Sequence, residues 1–396
     1  MFGLLKTKIN IGFIVNPFYL YCISFSFAIF IFLWGWCDIF PKLSAGILFF
    51  FLITFLIFTY TGYQFGKKNF NVTFYPGLKP YFNDIVFSLI IILGLINVIY
   101  MGYLPILDRS HNYREFGMPV IDPVFNTLSI FFSVFFFQSF IEQKEKRLLI
   151  YAFIIILINI LLFRRSSVIW IITSSLFLLV MYKKRISLLL IAIGLICLPI
   201  LSYSFGAYGN FRSQLSKAFV INELGSSENF KNSNISHNHY MTYLYVSSPL
   251  ANLQENIDKT SGAIKKMDFK SFFFYCLMPE SFTLRLEKPL KLSPPICYLI
   301  NPELITGSFL MVAFFTLGWA GMIFMFLYLA IFIIACLILI NKMNTFRSVT
   351  ISLLATTVSL LIFSNFLNRM DVLLMLFVYP VLFHYLFKVG LRKKIS

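Results

Sequence analysis

Apolar residues in this chain come in long unbroken runs. They do not alternate as in a half-buried strand, nor recur every three to four positions as on a surface helix. A helix needs about 20 apolar residues to cross roughly 30 Å of hydrocarbon. By that measure the sequence predicts about ten spans, at 17–36, 44–64, 82–103, 121–141, 148–163, 166–182, 186–204, 318–340, 348–366 and 371–387. Ile305–Ile340 is an uncharged run of 36 residues, about 54 Å long if helical. One span cannot use that length, so a break is expected near Gly318 or Gly321, with 305–317 lying along or dipping into the outer surface.

Residues 205–304 are the only long hydrophilic stretch. It holds turn clusters (Gly225-Ser226-Ser227, Asn232-Ser233-Asn234, Pro294-Pro295) and helical patches such as 239–257. A loop of that length with structure of its own is usually functional. The expected architecture is all-α: a polytopic transmembrane helix bundle with one long external loop containing short helices. It divides into an N-terminal bundle of about seven spans (1–204), the loop (205–304), and a C-terminal part (305–396) with a re-entrant or interfacial segment and about three spans. No repeat, low-complexity tract or nucleotide-binding loop is present, which argues against an ATP-driven transporter.

Composition sharpens this picture. Of 396 residues, 59% are apolar or aromatic and 12% charged, where a soluble domain holds about a quarter charged residues. Mean hydropathy is +0.82 and Phe occurs 50 times, more apolar surface than a water-soluble globule can hide. The net charge of +17 would suggest nucleic acid in a soluble chain. Here it is topological, because basic residues collect in cytoplasmic loops, and no basic-aromatic stripe supports nucleic-acid binding. One alternate set of short loops and tails carries 17 Lys and Arg; the opposite set carries Lys42, Arg109, Arg114, Arg164, Arg165 and Arg369. Both termini are therefore expected in the cytoplasm and the long loop outside, in a multi-pass inner-membrane protein. The first apolar run lacks a small-residue cleavage site and reads as a retained span. Six scattered cysteines include no CxxC pair, so neither zinc nor a redox dithiol is indicated; Cys276 and Cys297 are left open as a disulfide or two thiols.

Positive charge on the outer side opposes the insertion bias and asks for a reason. Arg164 and Arg165 join two short apolar runs, which holds both guanidiniums near the outer membrane surface. Either they snorkel to lipid phosphates, or they face the bundle interior and bind a pyrophosphate, for which arginine's permanent charge and bidentate geometry suit. Arg212 follows span seven in Gly206-Ala207-Tyr208-Gly209-Asn210-Phe211-Arg212, a sequence that suits a flexible connection. Arg285 has Glu280 and Glu287 nearby as simple ion-pair partners, and Arg369 has Asp371. His237 and His239 in Ser236-His237-Asn238-His239-Tyr240 are either polar loop residues or a base, since histidine titrates near neutral pH. No cysteine or carboxylate beside them completes a metal set. Asp108, Glu115, Asp122, Glu280 and Glu303 lie near expected membrane ends, Glu303 equally suited to a helix start.

In order and spacing, several motifs together resemble the Wzy-type O-antigen or oligosaccharide repeat-unit polymerases. They are Asn16-Pro17-Phe18, Asp38–Ser44, Gly102–Leu107, Tyr113–Pro119, Arg164-Arg165-Ser166, Tyr243–Leu253, Asn301, Thr306-Gly307 and Leu317-Gly318-Trp319-Ala320-Gly321. The family usually shows Asp-Phe-Gly where this chain has Thr316-Leu317-Gly318, so a commonly acidic position is lost. The resemblance covers roughly 16–340. It implies a GT-C-like, lipid-carrier-dependent glycosyltransferase that joins undecaprenyl-pyrophosphate-linked glycans at the outer face of the inner membrane. It also implies membrane lipids, a chain-length regulator and a flippase as partners, and no cofactor or metal, because the activated bond arrives with the lipid. On that reading Arg164, Arg165 and Arg212, then Arg285 and Arg369, bind pyrophosphate. His237 or His239 activates the acceptor hydroxyl, with Glu280 in reserve, and Tyr208, Tyr240, Tyr243 and Tyr245 stack on sugars. His237-Asn238 is also similar to a His-Asn pair of the related O-antigen ligases. A ligase, a polysaccharide flippase and a peptidoglycan polymerase are the rival readings. The long outer loop counts against a flippase, and no acidic signature of the peptidoglycan enzymes is evident.

Overall fold

The computed structural model describes residues 8–10, 12–69, 80–108, 116–183, 185–213, 216–260, 268–342 and 346–392. Helices in chain order are α1 (Pro17–Phe32), α2 (Ala45–Asn69), α3 (Pro80–Met101), α4 (Ile121–Gln143), α5 (Lys146–Leu161), α6 (Arg165–Lys183) and α7 (Leu188–Ser213). The loop region holds α8 (Lys217–Asn222), α9 (Glu228–Lys231), α10 (His237–Thr260), α11 (Phe269–Phe272) and α12 (Glu280–Leu290). Then come α13 (Met311–Asn341), α14 (Arg347–Leu360), α15 (Met370–Leu373) and α16 (Tyr379–Arg392). Among the described residues the strands are one antiparallel pair of three residues each, β1 (Lys8–Asn10) and β2 (Arg185–Ser187).

Among the described residues, five helices are long and apolar enough to cross a membrane: α2, α3, α4, α6 and α13; α1, α14 and Met370–Leu386 are shorter apolar helices. The expected break in the long uncharged run is present. Gly318 within α13 has φ 62° and ψ −144°, a left-handed conformation that glycine adopts without a Cβ penalty. The 319–341 stretch beyond it is about 34 Å long, enough to span by itself.

The chain forms two compact units, one of Met1–Phe65, Arg185–Phe332 and Val358–Arg369, the other of Gly66–Lys184, Ile333–Thr357 and Met370–Ser396. In the first unit the long loop belongs with α1, α2 and α7. In the second unit α4 is the most buried of the five long helices. Its Phe131 ring lies 5.6 Å from Phe346 and 5.6 Å from Tyr379, and the Tyr379 hydroxyl sits 2.6 Å from Thr127 Oγ1. Without a hydrophobic force between helices in lipid, close ring packing and such hydroxyl pairs hold the bundle. An Arg147–Asp84 ion pair at 3.1 Å and a Phe87–Tyr151 stack at 4.0 Å join α5 to α3.

In the first unit Tyr21 of α1 packs against Phe55, Phe58, Phe309 and Phe326, and its hydroxyl donates to Thr54 Oγ1 at 3.2 Å. The α1–α2 turn pairs with the loop ahead of α9: Asp38 N–H donates to Gly225 O at 2.8 Å and Ser227 N–H to Trp36 O at 2.8 Å. A rich polar network runs along the C-terminal half of α10. Asn252 Nδ2 donates to Leu304 O (2.6 Å) and Thr306 O (2.8 Å), while its Oδ1 accepts from Ile300 N–H (3.0 Å). Asn256 engages both peptide groups of Tyr298, donating to its O at 2.8 Å and accepting from its N–H at 3.0 Å. Gln254 accepts from Ser44 N–H at 2.8 Å. These buried amides replace the backbone partners that a non-helical segment lacks.

Asn256→Leu therefore leaves the Tyr298 N–H and C=O without their side-chain partner, each unmet buried group costing about 1–3 kcal/mol. The expected outcome is a clear drop in the thermal midpoint in detergent, measured against Asn301→Leu, whose half-buried side chain makes only solvent-exposed hydrogen bonds, to Glu223 O at 3.4 Å and from Glu303 N–H at 2.9 Å.

Candidate functional site

The polar end of α7 meets the start of α10. Span seven was expected to end at 204 and give way to a flexible connection, but α7 continues unbroken to Ser213. Gly206 is there for close approach: a Cβ on it would lie 1.8 Å from Asn238 O. Around that crossing Asn210 Nδ2 donates to Asn238 Oδ1 at 2.9 Å, Thr242 Oγ1 donates to Ser202 O at 2.7 Å, and His239 Nδ1 lies 3.0 Å from Ser202 Oγ. The His239 ring meets Tyr203 edge-on at 5.8 Å. His237 opens α10 and is half-buried, as is Tyr208 on α7. Arg212 lies in the last turn of α7, with its side chain outside the described residues. Four of the sequence candidates thus belong to one helix crossing.

Tyr240 and Tyr243 do not offer a face to a sugar. They are 0% and 3% exposed and stack in a core with Trp36, Phe40 and Phe230. The Tyr240 hydroxyl donates to Leu224 O at 2.8 Å. Burial, with Cys37 as a further contributor, pushes both phenols well above their ordinary value. The sequence shows aromatic residues in a polar loop; packing of the α1–α2 turn onto that loop buries them. Glu280 and Arg285 are exposed on α12. Arg369 rides over the Phe366 ring at 5.3 Å. The turn preceding it clamps residues next to Glu280, with Asn365 Nδ2 donating to Cys276 O at 2.9 Å and Asn368 Nδ2 to Tyr275 O at 3.0 Å. Cys276 and Cys297 are not joined in a disulfide; burial, and secondarily Cys297, raises the Cys276 thiol.

The arginine hairpin belongs to the second unit. α5 ends with Arg164 N–H donating to Asn159 O at 2.8 Å, a Schellman closure whose left-handed position is normally glycine. Here it is Phe163, at φ 54°. Arg164 turns inward to pair with Asp122, and its guanidinium lies 5.0 Å from the centre of the Phe125 ring. Burial lowers it to about 10, so it is cationic at neutral pH. Val120, two residues before Asp122, also has positive φ, 71°. Such residues cost about 1–3 kcal/mol each and persist where the surroundings over-determine them, often at functional sites. Arg165 is half-buried at the start of α6. In the sequence Asp122 is one external carboxylate among five, and a pairing over 42 positions has no local signal. His111, Arg114 and Glu115 lie outside the described residues.

No group of three or more His, Cys, Asp or Glu side chains able to hold a metal occurs among the described residues. Comparison of the chain with protein-family models, curated proteins and solved structures finds no match.

Gly206→Ala should force α7 and α10 apart and cost about 1–3 kcal/mol or more through overpacking. Gly194→Ala on the same helix meets nothing within 4 Å and should be neutral or slightly stabilising. Thermal unfolding of the two variants in detergent checks the contrast.

Proposed function

We propose that this protein is a lipid-carrier-dependent glycosyltransferase. It polymerises undecaprenyl-pyrophosphate-linked repeat units into O-antigen or a related surface polysaccharide, on a GT-C-like scaffold of about ten spans with both termini cytoplasmic in the inner membrane. The observation that carries this reading is the α7–α10 crossing, where His237, Asn238 and His239 meet the helix end that bears Tyr208 and Arg212. The inward-turned arginine hairpin supports it independently.

In this reaction the acceptor hydroxyl attacks the anomeric carbon of the growing chain. The bond from that carbon to the diphosphate oxygen breaks, and the lipid diphosphate leaves with the electron pair. A base takes the hydroxyl proton. With Nδ1 of His239 held at Ser202, Nε2 is the nitrogen left for that task; His237 is the second candidate and Glu280 the reserve. Charge grows on the leaving diphosphate, and guanidiniums fixed near head-group depth stabilise it most in the transition state. Arg212, in the last turn of α7, suits this role at the crossing; Arg165, in the second unit, is a diphosphate-binding candidate taken by itself. Arg164 suits it when the incoming phosphate competes with Asp122 for its charge, and Arg285 and Arg369 follow. Tyr208 and Tyr245, both half-buried, are the sugar-stacking candidates left once Tyr240 and Tyr243 are buried. Holding two glycans side by side adds the orientation contribution.

An O-antigen ligase is the second reading, favoured by the His237-Asn238 pair at the start of α10. Arg165→Ala should abolish polymer length while single-repeat capped lipopolysaccharide persists on gels of surface glycan; normal ladders would remove the residue from the mechanism. Deleting the chain separates the two enzymes: a one-repeat product marks the polymerase, and loss of all attached repeats marks the ligase.

A further inference from the structure

Residues 268–290, between α10 and the strap at 298–306, fold into a hairpin of their own. α11 begins with Asp268 accepting from Ser271 N–H at 2.9 Å, passes through a π-turn at Phe273–Leu277, and returns as α12. Thr283 Oγ1 donates to Phe274 O at 2.6 Å, Tyr275 donates to Glu287 Oε1 at 3.2 Å, and Lys270 Nζ donates to Leu290 O at 2.8 Å. The hairpin is fixed to a membrane-length helix. Asp268 N–H donates to Thr316 O at 3.3 Å, and the Phe272 ring lies 6.2 Å from Phe324, either side of the Gly318 break where the spanning stretch of α13 begins.

Its outer surface is wrong for water. On α12, Phe282, Leu286, Pro289 and Leu290 fall at i, i+4, i+7 and i+8, the stripe of an amphipathic helix. Phe282 is 48% and Leu290 37% exposed, and on α11 and the π-turn Phe269 is 58% and Phe273 47% exposed. Lys288 lies on the opposite side of α12 together with exposed Leu284; Ser281 and Arg285 flank the stripe, and Lys291 follows the helix. An apolar stripe, a flank carrying cations, and attachment at the mouth of a spanning helix are together what an interfacial helix requires. The apolar side seats among acyl chains, and the long cationic side chains reach lipid phosphates.

We propose that the α11–α12 hairpin is a membrane-interface anchor, with the phospholipid bilayer as its partner. It seats Phe269, Phe273, Phe282 and Leu290 at the level where α13 enters the hydrocarbon. The anchor holds whatever the reaction of this protein. The test places p-benzoylphenylalanine at Phe282, Lys288 or Ile331 of the full-length protein in vesicles of phosphatidylethanolamine and phosphatidylglycerol. Ile331 is 65% exposed on the spanning part of α13 and reports correct insertion. After irradiation, phospholipid adducts are read by peptide mass spectrometry. Position 282 should give adducts within about threefold of position 331 and about tenfold above position 288. Lipid adducts at 282 no more abundant than at 288, or adducts from 282 to a second copy of the chain, would overturn the proposal.

Discussion

Among the described residues no strand pairs with the peptide groups of the strap at 298–306, and the side chains of Asn252 and Asn256 on α10 serve as their partners. This exchange of side-chain amide for backbone sets the geometry of the first unit. A non-helical segment can stay inside a mostly apolar chain only when its N–H and C=O groups are met. Ser248 adds a hydroxyl pair to Thr306 at 2.9 Å, and Gln254 ties in the start of α2 through Ser44. α10 therefore behaves as a buried polar pillar, although its residues read as a hydrophilic loop. Its other end, about 28 Å from Asn256 by helix rise, is the one that meets α7.

The two ends of this helix are held in different ways. The amide end is saturated with hydrogen bonds. The histidine end rests on a glycine that admits backbone contact, with Asn210, Ser202 and Thr242 holding the register. In the second unit the same logic takes another form. Two non-glycine residues in left-handed conformation, Val120 and Phe163, flank the two partners of the Arg164–Asp122 ion pair. Strain of this kind is tolerated where packing over-determines it, and buried Phe163 is so packed.

Much of the helical framework is legible in the sequence because lipid-spanning helices must be long and apolar, a constraint that local composition carries. The break at Gly318 is legible for the same reason: the run is too long for one crossing. The end of α7 is not. Gly206 and Gly209 beside Tyr208 and Asn210 carry the same local signal as a turn, and the neighbour that makes glycine necessary lies 32 positions away at Asn238. Tyr240 and Tyr243 illustrate the complementary limit, since aromatic residues that cover a core and those that cover a ligand share one sequence signature. Asp122 and Arg164 are each visible as charges near helix ends, but their pairing is a tertiary fact. The histidines of α10 and the arginine hairpin are visible as residue types, while their neighbours are supplied by folding.

The most direct measurement reconstitutes the purified chain in liposomes with lipid-diphosphate-linked repeat units, chelator and no nucleotide, and follows glycan length and released lipid diphosphate together. The account predicts glycans of two or more repeats, with one lipid diphosphate freed for every linkage made. Folded protein that leaves both the glycans and the lipid diphosphate unchanged would contradict it.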